Sequence, residues 1–150
     1  MKKIPNSALI LGLSGLIPFF WGTVTSLDIV IENLKLTGLS KEYTGARINL
    51  TYGTIILAFM SGVLWGFAAN VGDKRQPIGF ILSVLPALWA FFTFSGILIN
   101  PLAGLIIGFL GVFAIDVRFH YWQLTPEWWL SLRCILTLLV IICLSVNLWW

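Results

Sequence analysis

Charged residues are scarce in this 150-residue chain, which has nine Lys and Arg, six Asp and Glu and one His. They make up 10% of the sequence, whereas soluble domains carry about 25%. Hydrophobic residues reach 59%, more than so short a chain could hide from water. The low charge therefore excludes a soluble fold and predicts an integral membrane protein. Because the basic residues form no long run, nucleic-acid binding is not expected.

Side chains that carry out catalysis are also few. Cys134 and Cys143 are nine residues apart, which places them on opposite faces of a helix. His120 has no metal-ligating neighbour at a suitable spacing. The sequence contains no HExxH, GxSxG or P-loop motif. We therefore expect no enzyme, no metal and no cofactor.

The apolar residues of the chain form several long runs. A membrane-spanning helix needs about 20 apolar residues, so the sequence predicts an all-α membrane protein. We expect one polytopic domain over residues 1–150, a compact bundle of about five transmembrane helices. A short amphipathic helix is predicted between the first two, where residues 27, 30, 31 and 34 share one apolar face. The predicted spans are 7–25, 49–70, 77–99, 102–117 and 127–148. Pro18 and Pro86 fall inside two of them and predict kinks.

Small residues recur at four-residue spacing in two of these spans, so that they share one helix face. Such faces let membrane helices approach closely. The helix-packing residues predicted on this ground are Ala58, Gly62, Gly66, Gly104 and Gly108. The pattern leaves open which of them pack inside the bundle.

The basic residues are unevenly divided between the two sides of the predicted bundle. One side holds Lys2, Lys3, Lys74, Arg75, Arg118 and Arg133, and the other holds Lys35, Lys41 and Arg47. Because loops rich in Lys and Arg stay in the cytoplasm, we expect the N-terminus inside and the C-terminus outside. The expected location is the bacterial inner (cytoplasmic) membrane.

A polar cluster is predicted at the inner ends of helices 2 to 5. Its members are Asn70, Asp73, Arg75, Asp116, Arg118, His120 and Arg133. Asp116 is expected to pair with Arg133 or Arg118. The cluster either binds a lipid head group or a partner's loop, or it only fixes topology and holds helix ends together. No charge is predicted deep in a span, which argues against an ion-coupled transporter.

Short motifs along the chain resemble a known family. They are Gly15-Leu16-Ile17-Pro18-Phe19, Tyr52-Gly53, Ser61-Gly62-Val63-Leu64-Trp65-Gly66, Ser83-Val84-Leu85-Pro86, Asp116, Pro126, Trp128, Leu132-Arg133 and Leu136-Thr137. Together they resemble the transmembrane-protein-69-like family, a five-helix membrane domain of unknown function found in bacteria and mitochondria. The resemblance implies the five-helix fold and no activity. The family often has His where this chain has Leu64, so chemistry at that position is not implied here.

Two functions are consistent with these features. The first is a non-catalytic accessory or assembly factor that binds other membrane proteins, since packing faces are several and reactive groups are few. The alternative is a small transporter or lipid-binding protein that uses the inner polar cluster. The expected partners are the lipid bilayer and another membrane protein or complex.

Overall fold

The computed structural model describes residues 3–27, 45–70, 72, 74–94 and 99–149, and over these residues the chain is helical without a strand. The helices are α1 (Asn6–Ser14), α2 (Ile17–Ser26), α3 (Gly45–Ala69), α4 (Gln76–Phe94), α5 (Pro101–Tyr121) and α6 (Trp129–Trp149). With α1 and α2 counted as one span, five segments of the described chain are long and apolar enough to cross a membrane. The predicted all-α membrane bundle is thus confirmed. The predicted amphipathic helix lies outside the described residues.

The first span is interrupted at Gly15 and Leu16, between α1 and α2. Pro18 stands in the first turn of α2, where it has no N–H to donate and its ring crowds the preceding turn. The hydroxyl of Tyr52 on α3 donates to the carbonyl of Gly15 at 3.0 Å. The interruption that Pro18 predicts is therefore present, and a hydrogen bond fixes it against α3.

Helix α4 continues through Pro86 without interruption. The next backbone N–H, that of Ala87, donates to Oγ of Ser61 on α3 at 2.9 Å. Ser61 is 8% exposed, so this hydrogen bond is made in the interior. It joins α3 to α4 at the point where a proline disturbs the backbone pattern.

Helix α5 begins at a side-chain cap. Oδ1 of Asn100 accepts from the backbone N–H groups of Leu102 and Ala103 at 2.9 and 3.4 Å, and Pro101 suits a first turn that needs no donor. The helix then runs to Tyr121, four residues past the predicted end at Val117. The basic side chains of its last turn, Arg118 and His120, favour a helix C-terminus.

The core lies where α2, α3, α5 and α6 meet. Phe19 and Phe109 are each 1% exposed, and their rings pack edge to face with centroids 5.9 Å apart. Beside them, Trp89 of α4 turns inward and donates from Nε1 to the carbonyl of Gly104 at 2.8 Å. Helix α6, which lacks glycine, is as buried as α3: 33% of the residues in the most apolar 18-residue stretch of each helix are buried.

Replacing Ser61 with alanine should destabilise the bundle, because the interior N–H of Ala87 loses its acceptor. We expect the free energy of unfolding to fall by about 1 kcal/mol, the size of a hydrogen bond between membrane helices. Thermal unfolding in detergent measures the effect. Ser14→Ala is the matched control, since that hydroxyl is exposed and bonds only to its own helix. Equal stability of the two variants would contradict the role of Ser61.

Candidate functional site

A buried ion pair joins α5 to α6. Asp116 is 0% exposed and Arg133 is 5% exposed. Nε of Arg133 donates to Oδ2 of Asp116 at 2.8 Å. The second carboxylate oxygen, Oδ1, accepts from Nε1 of Trp129 at 2.8 Å. Both oxygens of the acid are thus occupied by donors from α6. Of the two ion-pair partners expected for Asp116, the structure selects Arg133.

The ion pair lies inside the spans rather than in a loop. Asp116 is five residues before the end of α5, and Arg133 is four residues after the start of α6. At 1.5 Å per residue, each lies about 6 to 8 Å from its helix end. The pair thus lies one to two turns inside the helices, nearer their ends than their middles. Mutual attraction and the Trp129 hydrogen bond offset the cost of desolvating the pair.

Two other predicted members of the polar cluster meet at Trp122, just after α5. Nη1 of Arg75 donates to the Trp122 carbonyl at 3.1 Å. The Arg118 guanidinium carbon lies 4.7 Å from the centroid of the Trp122 ring. Both arginines are exposed. They form a surface contact that links the start of α4 to the end of α5, separate from the ion pair.

Two of the remaining predicted members make local contacts. Nδ1 of His120 lies 3.2 Å from Oγ1 of Thr125, and Nδ2 of Asn70 donates to the carbonyl of Gly66 in its own helix at 3.0 Å. Asp73 lies outside the described residues. The predicted cluster therefore divides into the buried pair and several interfacial contacts.

A second polar cluster, which the sequence did not predict, lies at the opposite end of the spans. Asn49 of α3 is 0% exposed. The side-chain amide of Asn49 has one orientation in which both its nitrogen and its oxygen form hydrogen bonds. In that orientation the nitrogen donates to the carbonyls of Pro18 and Phe19. Its oxygen then accepts from Thr23 Oγ1 at 3.2 Å and from Asn147 Nδ2 at 2.9 Å. The only sequence signal was asparagine near the ends of two apolar spans.

Close approach of α2 to α3 makes this second cluster possible. A Cβ added to Gly22 would collide with the side chain of Asn49. Glycine at this position therefore brings the backbone carbonyls of α2 within reach of the amide. The cluster joins α2, α3 and α6, which suits a structural role.

A small cavity lies near the ion pair, between the α1–α2 break, α3, α5 and α6. It has a volume of about 170 Å³, and its walls are apolar except at Arg133 and Thr137. Nη2 of Arg133 and Oγ1 of Thr137 are buried and have no hydrogen-bond partner among the described residues. Leu11 and Phe59 also line the cavity, and they are 72% and 64% exposed. The cavity therefore opens towards the lipid-facing surface.

The small residues singled out in the sequence occupy two different environments. Gly104 and Gly108 are buried, and a Cβ on Gly104 would collide with Thr93 of α4. Ala58, Gly62 and Gly66 are exposed. A Cβ added to Gly62 or Gly66 would meet no atom within 4 Å. The described part of the bundle does not use this second group, which we call the α3 small face.

These features define a polytopic helical membrane protein with a buried ion pair beside a laterally open cavity. The chain belongs to the DUF3429 family, described as a protein of unknown function, whose model matches residues 4–149. It is 34% identical to Transmembrane protein 69 of Mus musculus over 151 residues, which cover 96% of this chain and 56% of that relative. For Transmembrane protein 69 of Xenopus tropicalis the identity is 33% over 152 residues, with 99% and 56% covered.

The matches confirm the resemblance to the transmembrane-protein-69-like family. The chain spans about half the length of these curated relatives. No solved structure matches it. Membership of the family therefore supports a membrane protein and assigns no activity.

Breaking the ion pair from either side should destabilise the protein. We expect Asp116→Asn or Arg133→Gln to lower the free energy of unfolding by about 3 kcal/mol, because a buried charge loses its partner. The double variant should regain more than half of the loss, since it leaves no unpaired charge. Denaturation in detergent measures all three. Arg118→Gln, at an exposed cation beside Trp122, should cost less than about 1 kcal/mol. Additive effects of the two buried substitutions would contradict the pairing.

Proposed function

We propose that this protein is non-catalytic and binds another membrane protein through the α3 small face, acting as an accessory subunit or assembly factor. The observation that supports this is the open surface at Gly62 and Gly66, where an added Cβ meets nothing. Ala58 extends the same face one turn towards the N-terminus of α3.

Glycine at positions 62 and 66 destabilises α3 by about 0.8–1.0 kcal/mol per residue relative to alanine. Packing within the described bundle does not require glycine there. Contact with a helix of another protein would require it, since a GxxxG pair lets two backbones come close enough for extensive van der Waals contact. Phe59 and Trp65 flank this face and are 64% and 48% exposed. These aromatic side chains would frame a helix that docks between them.

A second candidate function is lipid handling, as a small transporter or lipid-binding protein. The observation that favours it is the cavity beside the buried ion pair, with two polar groups that lack partners. Polar groups inside membrane spans are expensive and commonly mark a functional site.

The proposed location is the bacterial inner membrane, with the N-terminus in the cytoplasm. Lys3 precedes α1, Lys74 and Arg75 precede α4, and Arg118 lies in the last turn of α5. With five spans these segments share one side, and the positive-inside rule places that side in the cytoplasm.

A reporter fused after Trp150 tests this orientation. We expect alkaline phosphatase to be active there and green fluorescent protein to be dark, because the C-terminus would face the periplasm. The same reporters placed in the loop after α3 should give the opposite pattern. An inactive phosphatase and a bright fluorescent protein at the C-terminus would show that the orientation is the reverse of the proposed one.

Larger side chains on the α3 small face should prevent the partner protein from binding there. In the double variant Ala58→Leu/Gly62→Leu, we expect the larger complex on native gels to lose at least about tenfold in abundance, because two backbones can no longer approach. The matched control is Ala114→Leu/Gly111→Leu on α5. Ala114 is exposed, and a Cβ on Gly111 also meets nothing within 4 Å.

Both variants should accumulate to the level of the wild type, since neither alters an internal contact. Mass spectrometry of the wild-type complex, extracted in mild detergent, would identify the partner. An equal loss in both double variants, or a wild-type protein that migrates without a stoichiometric partner, would contradict binding through this face.

A further inference from the structure

We propose that the cavity beside Arg133 binds part of a bilayer glycerolipid, with the ester carbonyls of the lipid accepting hydrogen bonds from Arg133 Nη2 and Thr137 Oγ1. This inference rests on the lipid-handling alternative above and does not depend on the α3 small face.

The two unpartnered groups determine the chemistry of the ligand. A guanidinium N–H only donates, and a hydroxyl can donate, so the occupant has to present acceptors. Because Arg133 is already paired with Asp116, the site carries no net charge and does not require an anion. Neutral carbonyl oxygens in an otherwise apolar molecule match these groups. A diacyl glycerolipid has two such oxygens.

The size and opening of the cavity indicate a fragment of a larger molecule. Its volume of about 170 Å³ is below the roughly 300–1,000 Å³ of a site that encloses a whole ligand. The exposed side chains of Leu11 and Phe59 line its outer side, so the rest of the molecule can remain in the bilayer. A lipid entering sideways satisfies both conditions.

The depth of the cavity also suits an ester group. Arg133 is one turn inside α6, and Trp128 and Trp129 mark the start of that helix. Tryptophan is favoured at the head-group level. Helical side chains tilt towards the helix N-terminus, and a long arginine reaches towards the interface. The guanidinium is therefore near the boundary between acyl chains and head groups, and Thr137 lies one turn deeper.

The broken first span supplies one wall of the cavity. Gly12, Gly15 and Leu16 all line it, and the last two form the interruption between α1 and α2. Irregular backbone within a membrane is tolerated where it borders a cavity or protein rather than lipid. This position gives the interruption a role beyond accommodating Pro18.

A comparison of two lipids tests the assignment with the unaltered protein. The full chain is purified, delipidated in detergent and incubated with a diester phosphatidylcholine or with its diether analogue, which lacks the ester carbonyls. Native mass spectrometry measures the lipid retained. We expect about thirtyfold greater retention of the diester, corresponding to the two hydrogen bonds that its ester carbonyls accept. Equal retention of the two lipids would overturn the proposal.

Variants locate the binding to this cavity. Thr137→Val keeps nearly the same shape and should reduce diester retention towards that of the diether. Gly12→Leu should reduce retention of both lipids by filling the cavity. A Cβ at this position would meet only the flexible ends of Leu136 and Leu132, at 3.1 and 3.5 Å. Thr51→Val, at an exposed threonine of α3, is the control and should bind as the wild type does. Diester preference that survives both cavity variants would place the lipid elsewhere and overturn this site.

The outcomes separate this inference from the proposed functions. Loss of the partner complex in Ala58→Leu/Gly62→Leu with unchanged lipid retention would support both sites independently. If the protein retains the diester specifically but Thr137→Val leaves its biological role unchanged, the lipid-binding site stands. Lipid handling would then not be the function of the protein.

Discussion

Hydrocarbon offers no hydrogen bonds, so a polar side chain within a membrane span has to find its partner on another part of the protein. Asp116 meets this requirement with Arg133 and Trp129, both on α6. Asn49 meets it with backbone carbonyls of α2 and with Asn147 of α6. The two clusters lie near opposite ends of the bundle. They fix α6 against the other helices at both ends, which explains why a helix without glycine is nonetheless well packed.

Backbone disruptions in the bundle are handled in the same way. The interruption before Pro18 is held by the hydroxyl of Tyr52, and the N–H after Pro86 is bound by Ser61. Both partners lie on α3. Helix α3 therefore holds both disturbed backbones, with side chains that are nine residues apart and so lie on opposite faces of the helix. The positions of Gly62 and Gly66 remain open.

Arg133 connects the ion pair to the cavity. One edge of its guanidinium is fixed by Asp116, while Nη2 is buried without a partner beside Thr137. A donor held rigidly in this way loses little entropy when it binds an acceptor. The structural role of this arginine is thus compatible with the lipid binding proposed for it, since the ion pair fixes the guanidinium in place.

The accuracy of the sequence-based predictions differed between the fold and the site. Apolar run lengths and Pro18 were enough to predict five spans and an interruption in the first, because these depend on local chain properties. The pairing of Asp116 with an arginine was also expected, but its depth was not. The predicted span ended at Val117, whereas the helix continues past Arg118 and His120 to Tyr121. Tertiary packing supplied Asp116 with partners inside the span, and no local pattern encodes that.

Composition is enough to identify this protein as a helical membrane bundle, because 59% hydrophobic residues in long runs permit no soluble alternative. Which small residues are internal depends instead on how the helices pack against one another. Gly104 and Gly62 belong to the same kind of four-residue pattern, yet a Cβ added to Gly104 would collide with Thr93, whereas a Cβ added to Gly62 would meet no atom of the described residues within 4 Å. The reason is physical: periodicity places residues on one helix face, but the rotation of each helix about its axis is set by contacts with residues distant in sequence.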